Sequence, residues 1–387
     1  MSTFQDLQLL SDAAYYDRCN YVNYNVDNIL EETGKIKDGI YHAQAGNRTV
    51  PLFKILMTNE CNNDCAYCTN CIEHKYQRAR LSPEALAQIY MKYYENNSVE
   101  GLFLSSGIIR DADTTMEEML QAAHILRNKY SYKGYIHLKV IPGASRDHIK
   151  HAMQLADRVS INIESATKDG LSDLSSTKNY DKDILKRLDW IDRLHKKDNT
   201  LAGSGYTTQI IVGANDENDY DILQQVYNLT KKHDVLFNYF SSFTPVKGTP
   251  LEDRTANDVR RTGRLYQTEY LFNQYKFTLD DIILDDDGFI DTKTDPKYAI
   301  AMANKEDYPI DVNTATYRQL IKVPGIGLKS AKRIKQKQKK GEKIESLKQL
   351  QSIGANINKC KTFVKIRGSY QSTLIWLNLK KGYKMGG

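Results

Sequence analysis

The sequence from residue 61 to residue 71 reads Cys61-Asn-Asn-Asp-Cys65-Ala-Tyr-Cys68-Thr-Asn-Cys71. It holds four of the six cysteines in the chain, and the first three are separated by three and then two residues. Thiolates this close in one loop can converge on a single metal centre. Three ligands suit an iron–sulfur cube in which one iron is left for a ligand that is not protein. We therefore expect Cys61, Cys65 and Cys68 to hold a [4Fe–4S] cluster.

A zinc site is the alternative interpretation of the same cysteines. Structural zinc sites more often combine two Cys-x2-Cys pairs that lie a dozen or more residues apart. The two remaining cysteines, Cys19 and Cys360, are solitary, so four thiolates around zinc would have to include Cys71. The cluster is the better interpretation, and we expect Cys71 to be a spare thiol beside it rather than a hydrogen-atom donor.

The spacing Cys-x3-Cys-x2-Cys, with Tyr67 just before the last cysteine, resembles the signature of the radical S-adenosylmethionine (SAM) enzymes. In that superfamily the open iron binds SAM, the reduced cluster cleaves it, and the resulting 5′-deoxyadenosyl radical takes a hydrogen atom from a substrate. The protein positions the cofactors and excludes solvent. The resemblance implies two cofactors, a [4Fe–4S] cluster and SAM, and a one-electron reductant such as flavodoxin or ferredoxin.

Apolar strands alternate with amphipathic helices on both sides of the cysteine loop. After a short helix at residues 4–17 and irregular structure, six strands are predicted at residues 50–57, 101–107, 134–142, 158–164, 206–213 and 235–243. Helices are predicted between them at residues 82–95, 114–130, 146–156, 181–195 and 219–232. Six such repeats predict an α/β fold with a parallel sheet, here a partial (β/α)6 TIM-like barrel. The radical SAM resemblance implies the same architecture.

The loops after these strands are where function is expected in such a fold. Ser105, Ser106 and Gly107 follow the second strand, where related enzymes have a Gly-Gly-Glu stretch that binds the SAM amino group. The acid is missing here, so backbone carbonyls or the two hydroxyls would have to replace it.

Two further strand ends resemble SAM-binding positions of the superfamily. Asn162 and Glu164 end the fourth strand, and their spacing of two places both on one face. The segment 209–216 resembles the adenine motif Gly-x-Ile-x-Gly-x-x-Glu, with Gly213 kept and both ends different. The resemblance implies that these residues hold SAM together with Tyr67. The alternative is that they are polar residues that merely end strands.

A second motif occupies residues 312–334 and contains Val323-Pro-Gly-Ile-Gly327. We expect Asn313 or Thr314 to cap a helix that ends at Lys322, and the glycine-containing turn to lead into a second helix. The motif resembles the helix-hairpin-helix of DNA repair and recombination proteins. A degenerate second copy is expected at residues 346–363.

The resemblance implies that this hairpin binds a nucleic-acid backbone. Gly325 and Gly327 allow the backbone to approach a phosphate, while Lys329 and Lys332 lie at or near the start of the next helix. Such contacts are independent of base sequence and weaken with salt. A hairpin used for packing or for binding protein is the alternative.

Charge is distributed unevenly along the 387 residues, whose net charge is +6. Residues 308–387 hold 18 Lys and Arg against 3 Asp and Glu, a net charge of +15, so the preceding residues carry −9. A basic tail on an acidic body favours a polyanionic partner. The N-terminus lacks the features of a signal peptide, and no apolar run is long enough to span a membrane, so we expect a cytoplasmic protein.

The length fits about two domains. We expect an N-terminal extension at 1–50, a radical SAM core at 51–280, a linker at 281–307 and a nucleic-acid-binding helix-hairpin-helix domain at 308–387.

The whole chain resembles one family, the DNA modification and repair radical SAM proteins. The matching stretches are residues 9–17, 56–59, 64–68, 101–107, 162–164 and 312–327. The resemblance implies a companion protein similar to uracil-DNA glycosylases. The leading hypothesis is a radical SAM enzyme that acts on DNA, in repair or modification. The alternatives are a radical SAM enzyme that modifies transfer RNA and a DNA-binding iron–sulfur protein without catalysis.

Overall fold

The computed structural model describes residues 3–15, 39–45 and 48–366. It divides the chain into two units, Met1–Leu265 and Tyr266–Gly387. The predicted end of the first helix at residue 17 and the solitary Cys19 lie outside the described residues. Within the described ranges, no helix combines the length and apolarity needed to cross a membrane.

The first unit is built on a seven-stranded sheet that curls into a half-barrel, with its strands in sequence order. Its strands are β1 (Ile40–Ala45), β2 (Arg48–Leu56), β3 (Gly101–Ser105), β4 (Tyr135–Lys139), β5 (Arg158–Ser160), β6 (Tyr206–Val212) and β7 (Phe237–Ser242). Neighbours from β2 to β7 pair in parallel. The predicted α/β partial barrel is therefore confirmed, and parallel strands place all their carboxyl ends at one edge.

Within the described residues, one α-helix precedes the strands of the sheet, six connect the parallel strands and one follows the last strand. They are α1 (Thr3–Tyr15), α2 (Pro83–Glu95), α3 (Ala112–His124), α4 (Arg146–Leu155), α5 (Lys168–Leu174), α6 (Lys186–Lys197), α7 (Asp219–Lys232) and α8 (Val259–Tyr270). Phe53 of β2 packs on Tyr93 of α2, with ring centroids 4.9 Å apart. Because side chains alternate along a strand, the residues next to Phe53 point to the opposite, inner face.

An edge strand was not predicted. Residues 40–45 were expected to be irregular, but β1 pairs antiparallel with β2, from Ile40 opposite Phe53 to Ala45 opposite Arg48. The sequence Ile-Tyr-His-Ala-Gln-Ala has little alternation of its own. The neighbouring strand supplies the hydrogen bonds that define β1, so local pattern did not reveal it.

Several predicted bounds were also wrong. The predicted strand 158–164 ends at Ser160, because the backbone N–H groups of Ile163 and Glu164 both donate to Gln209 O, at 3.0 Å each, and Glu164 has a φ of 63°. The predicted helix 114–130 ends as α-helix at His124. The other differences are the π-helical turns Ile125–Lys129 and Tyr180–Leu185, the unpredicted α5 and the shorter β7.

The second unit is mainly helical. Its elements are α9 (Pro296–Ala303), β8 (Ile310–Asp311), α10 (Tyr317–Lys322), α11 (Leu328–Lys339), α12 (Leu347–Ser352), α13 (Ile357–Cys360) and β9 (Val364–Lys365), and β8 pairs in parallel with β9. The buried core includes Val312, Leu320, Val323, Ile326, Ala331, Ile334, Leu350, Cys360 and Phe363.

The predicted cap of α10 was misplaced by two or three residues. Thr316, not Asn313 or Thr314, caps the helix through a capping box with Gln319. Asn313 instead exchanges hydrogen bonds with the backbone of Ile344, 2.7 Å from its N–H and 3.0 Å from its carbonyl. A long-range contact thus uses the side chain that local sequence had assigned to the cap.

The expected second hairpin is present as α12 and α13. Its turn contains Gly354 with a φ of 96°, as the turn between α10 and α11 contains Gly325 with a φ of 80°. The two turns are joined directly, because Asn356 N–H donates to Gly325 O at 2.8 Å. A Cβ on Gly325 would lie 2.4 Å from Asn356 O, so this close approach requires glycine.

Candidate functional site

The cysteine loop follows β2 at the carboxyl edge of the sheet. Cys65 is buried, whereas Cys61 and Cys68 are partly exposed, and all three are free thiols. Backbone N–H groups face two of the sulfurs: those of Asn63 and Ile108 lie 3.5 and 3.4 Å from Cys61 Sγ. The N–H of Asn70 lies 3.4 Å from Cys68 Sγ. N–H groups aimed at sulfur stabilise thiolates, the form that binds iron.

Ionisation of the Cys68 thiol is unfavourable in this buried position. Burial raises the pKa of Cys68 to about 12, and the neighbouring Cys65 and Cys61 act in the same direction. Iron bound at this position would remove that cost, because a metal stabilises coordinated thiolates. The donor set therefore fits an iron–sulfur cluster.

The three thiols do not form a compact single-ion site. In the described part of the chain, no three His, Cys, Asp or Glu side chains converge as ligands of one metal ion. Each cysteine of a cube binds a different iron, so a cluster does not require that convergence. Cys71 is 1% exposed, and burial raises the pKa of its thiol.

Arg78 holds the loop in its conformation and was not predicted. Its guanidinium donates to four backbone carbonyls, those of Asn59 (2.5 Å), Asn70 (3.1 Å), Cys71 (2.7 Å) and His74 (2.9 Å). A planar group with five N–H donors is suited to several acceptors at once. Both ends of the cysteine loop are thereby fixed to one side chain.

Asp64, inside the loop, binds the segment that follows α5. Its carboxylate accepts hydrogen bonds from the hydroxyls of Ser175 (2.6 Å), Ser176 (2.5 Å) and Thr177 (2.8 Å) and from backbone N–H groups of the last two. Although burial raises it, these hydrogen bonds hold the pKa of Asp64 well below its ordinary value. The next residue of this segment is Lys178.

Lys178 is a buried lysine at the centre of the site, also not predicted. Its Nζ lies 3.4 Å from the Tyr67 hydroxyl and 3.4 Å from Glu164 Oε1. Glu164 Oε2 in turn accepts from Asn162 Nδ2 at 3.4 Å, although the strand predicted to align the two residues ends at Ser160. Burial opposes the charge of Lys178, but Cys65 and Glu164 raise its pKa above the ordinary value. The structure thus connects three predicted residues through one unpredicted side chain.

The Ser105–Gly107 segment pairs with the residues that lead into the cysteine loop. Ser105 O accepts from Met57 N–H, Gly107 N–H donates to Thr58 O (both 2.8 Å), and Ser106 Oγ donates to Gly107 O at 2.7 Å. A Cβ on Gly107 would lie 2.1 Å from Glu60 O. The segment is therefore held directly against the residues that precede Cys61.

Gly213 follows β6 with a φ of 88°, a conformation that favours glycine. Its carbonyl accepts from Arg254 Nε at 2.9 Å. Tyr67 packs against an apolar cluster that includes the neighbouring Ile211 and Ala214. Gly213 is thus next to the apolar contacts of Tyr67 at the same sheet edge.

The inner face of the sheet is polar. Lys54 Nζ lies 4.9 Å from the Phe103 ring centroid, Phe103 stacks on His137 at 4.1 Å, and His137 Nε2 lies 2.8 Å from Ser160 Oγ. Thr207 Oγ1 is buried and has no hydrogen-bond partner among the described residues. A row of polar groups inside a half-barrel provides partners for a polar ligand.

The hairpin turn in the second unit runs from Val323 to Gly327. Gly327 precedes α11, whose first N–H groups lack partners within the helix, and Lys329 and Lys332 are exposed on that helix. Arg333 is directed elsewhere, since its guanidinium donates to Ile353 O of the second hairpin at 3.1 Å.

Two family models match the chain. Residues 55–225 match the radical SAM superfamily, and residues 306–369 match the helix-hairpin-helix motif. The first unit therefore contains a radical SAM domain, the domain of a superfamily of enzymes that use an iron–sulfur cluster and SAM. The second unit contains a helix-hairpin-helix motif, which suggests nucleic-acid binding.

Among solved structures, the chain is similar to methylornithine synthase (PylB), with 16% identity and a TM-score of 0.45 over 57% of this chain and 60% of that one. It is also similar to HydG, a maturase of the [FeFe]-hydrogenase, with 15% identity and a TM-score of 0.47 over 70% and 62% of the chains. A radical SAM methyltransferase from Sphaerobacter thermophilus is also similar, with 13% identity and a TM-score of 0.42 over 58% of this chain and 64% of that one. The chain thus spans less than two thirds of each of these proteins. No curated protein sequence matched it.

Proposed function

We propose that the chain is a radical SAM enzyme that acts on DNA, in repair or modification. The observation that carries this proposal is the presence, in one chain, of the Cys61–Cys68 loop at the carboxyl edge of a half-barrel and of a helix-hairpin-helix. The net charge of +15 on residues 308–387 supports a polyanionic substrate. The reducing cytoplasm is the expected location, because free thiols persist there.

Cys61, Cys65 and Cys68 would hold the cluster, and the remaining iron would be open to SAM. When bound, the two cofactors supply a 5′-deoxyadenosyl radical by one-electron reduction of SAM. Flavodoxin or ferredoxin is the class of reductant we expect. The residues around the loop keep the thiol positions fixed and exclude water.

The SAM site would combine groups from both sides of the cysteine loop. Ser105, Ser106 and Gly107 offer carbonyls and hydroxyls to the amino group, since the segment has no acid. Asn162 and Glu164 offer polar atoms to the ribose or the amino-acid part, and Gly213 leaves room for the adenine. Tyr67 packs against the apolar cluster that includes Ile211 and Ala214, on either side of Gly213 in the sequence.

Lys178 adds a positive charge to this site. Its Nζ lies 3.4 Å from Glu164 Oε1, so the lysine can orient that buried carboxylate. Its Nζ also lies 3.4 Å from the hydroxyl of Tyr67, the residue directly before the proposed cluster ligand Cys68. We propose that Lys178 positions Glu164 and Tyr67 for SAM rather than taking part in the radical reaction.

The hairpin would hold the phosphate backbone. Gly325 and Gly327 are partly exposed and would let the main chain of the turn approach a phosphate, and Lys329 and Lys332 add charge within the first two turns of α11. Such a contact does not read base sequence, so the choice of target would be made in the half-barrel. A protein similar to uracil-DNA glycosylases is the partner that we propose.

Two alternative functions predict different experimental results. A transfer-RNA-modifying enzyme would use the same radical chemistry but would prefer folded RNA to duplex DNA. A DNA-binding iron–sulfur protein without catalysis would bind a cluster but would not cleave SAM.

The test is anaerobic reconstitution with iron and sulfide, addition of SAM and dithionite, and measurement of 5′-deoxyadenosine with duplex DNA, transfer RNA or neither. We expect production that requires Cys61, Cys65 and Cys68 and that changes on addition of DNA. Cys360→Ala is the matched control, because this buried cysteine lies in the second unit. A fully loaded cluster that never yields 5′-deoxyadenosine would refute the enzyme and favour the binding protein.

A further inference from the structure

A buried lysine outside the hairpin motif contacts the phosphate-binding turn. Lys297, the second residue of α9, is 9% exposed, and its Nζ donates to Ile326 O at 2.8 Å. Ile326 lies between Gly325 and Gly327, the two glycines of the turn. The ammonium of Lys297 is therefore fixed directly against the backbone that the hairpin would present to a phosphate.

Tyr275 connects the same lysine to the start of α11. The Lys297 Nζ lies 4.4 Å from the centroid of the Tyr275 ring, a favourable position for a cation. Burial raises the pKa of the Tyr275 hydroxyl, and the backbone N–H of Leu328, the first residue of α11, acts in the opposite direction, so the hydroxyl lies near the start of that helix. The hydroxyl can still donate to a phosphate oxygen. Lys297 and Tyr275 thus flank the turn and the first N–H groups of the helix.

The charge of Lys297 is poorly compensated in the absence of a ligand. The nearest acid, Asp295, caps α9 by accepting from the N–H groups of Lys297 (3.0 Å) and Tyr298 (3.2 Å). Its other oxygen binds Lys359 Nζ at 3.0 Å. Burial lowers the pKa of Lys297 to about 7, with Asp295 raising it and Lys359 lowering it further. An anion at the turn would stabilise the charged form.

We infer that Lys297 is a positioning residue for the phosphate contact of the hairpin, and that its ammonium links nucleic-acid binding to the uptake of a proton. This inference rests on the nucleic-acid binding proposed for the hairpin. A phosphodiester favours the protonated lysine, so the complex retains a proton that the free protein loses as the pH rises. Affinity should therefore fall from mildly acidic to mildly alkaline pH.

The second unit offers no histidine that would give the same effect. All eight histidines precede residue 251, and the last is His233. Histidine is the side chain whose ordinary pKa lies nearest neutrality. The other groups that face Lys297 are the carboxylate of Asp295, the ammonium of Lys359 and the phenol of Tyr275, and burial raises the pKa of that phenol to about 12. None of these has its ordinary pKa near neutrality.

The experiment is fluorescence anisotropy of the full chain with labelled duplex DNA, at constant ionic strength, from about pH 6 to about pH 8.5. The wild type should lose about fivefold in affinity over this range, as a charge interaction near the surface would give. Lys297→Met should bind about fivefold more weakly at the acidic end and show little pH dependence. Lys297→Arg, always charged, should bind tightly with little pH dependence. Lys293→Met, at an exposed lysine of the same unit, should keep the wild-type profile.

The outcomes separate the inference from the proposed function. If Lys329→Ala and Lys332→Ala weaken binding while Lys297→Met keeps the wild-type profile, the inference is overturned and hairpin binding stands. If the wild type binds neither DNA nor RNA at any pH, the proposed function fails and the inference with it.

A measurement without nucleic acid tests the buried charge itself. The pKa of Lys297 is lowered in the folded protein, so the unfolded chain holds a proton that the folded chain has lost between about pH 7 and about pH 10. The stability of the wild type relative to Lys297→Met should therefore rise across this interval. A constant difference would overturn the inference.

Discussion

Lys178 Nζ lies 3.4 Å from Glu164 Oε1, and both side chains are only 8% exposed. Lys178 comes 14 residues after Glu164 and is brought back to it by the segment that Asp64 holds. Removing one partner of a buried pair leaves the other charged and unpaired, which costs more than the pair itself contributes. This relationship joins the cysteine loop to the proposed SAM residues.

Lys178→Met should destabilise the first unit by about 3 kcal/mol and weaken SAM binding, because Glu164 would be left buried without its cation. The measurements are denaturant unfolding and equilibrium binding of SAM to the reconstituted protein. Lys168→Met is the matched control, since Lys168 is 66% exposed and lies 3.8 Å from Asp181. The double variant Lys178→Met with Glu164→Gln should recover part of the stability. Equal losses of stability and of SAM affinity in the Lys168 and Lys178 variants would contradict the claim that burial of the Lys178–Glu164 pair makes it important.

Asp64→Asn should lower the midpoint of thermal unfolding, because an amide accepts the hydrogen bonds of Ser175, Ser176 and Thr177 less well than a carboxylate. Hydrogen bonds lower the pKa of Asp64 in the folded protein, so its contribution is complete above its ordinary pKa of 3.8. It is lost as the pH falls from there through the folded value.

The difference between wild type and Asp64→Asn should thus be constant from neutral pH down to about pH 5 and shrink only in stronger acid. Asp173→Asn, at an exposed acid of α5, should have little effect at any pH. A difference that disappears already near neutrality would be inconsistent with the hydrogen-bonded carboxylate.

Arg78→Lys should reduce the affinity of the loop for iron about tenfold, in the range typical of residues that orient metal ligands. An ammonium cannot reach four carbonyls that a planar guanidinium binds together. The measurement is the iron and sulfide content after anaerobic reconstitution. Arg110→Lys, at an exposed arginine, should load normally. A full content of iron and sulfide in the Arg78 variant would show that the cysteine loop does not need the hydrogen bonds of this guanidinium.

Gly325→Ala and Gly341→Ala form a matched pair in the second unit. Both glycines have positive φ, 80° and 74°, so each alanine should cost about 1 kcal/mol of backbone strain. Only at Gly325 would the new Cβ meet a backbone atom, Asn356 O at 2.4 Å, whereas nothing lies within 4 Å at Gly341. We expect a further loss of about 1–3 kcal/mol at Gly325. DNA binding should be lost in the Gly325→Ala variant only. Equal stability of the two variants would refute the close contact between Gly325 and Asn356.

The amino-acid sequence by itself determined the class of the protein and the order of its parts. Three local patterns carried this information: the spacing of Cys61, Cys65 and Cys68, the strand–helix alternation and the turn around Gly325. Each can be recognised in the sequence because its members are neighbours along the chain. These patterns predicted the half-barrel and the hairpin. Asn162 and Glu164 do contact each other, but the strand that was predicted to align them ends at Ser160 and Glu164 has a φ of 63°, so alternation along a strand is not what brings them together.

Only the tertiary structure decided which distant groups complete the site. Asp64 binds Ser175, 111 residues away, and this contact delivers Lys178 to Tyr67 and Glu164. Lys297 reaches Ile326 from a helix outside the hairpin motif. No local pattern marks such side chains, since in the sequence each looks like any surface lysine until packing removes it from water. Burial and long-range hydrogen bonds turn these ordinary residues into parts of a site, and both arise only when the chain has folded.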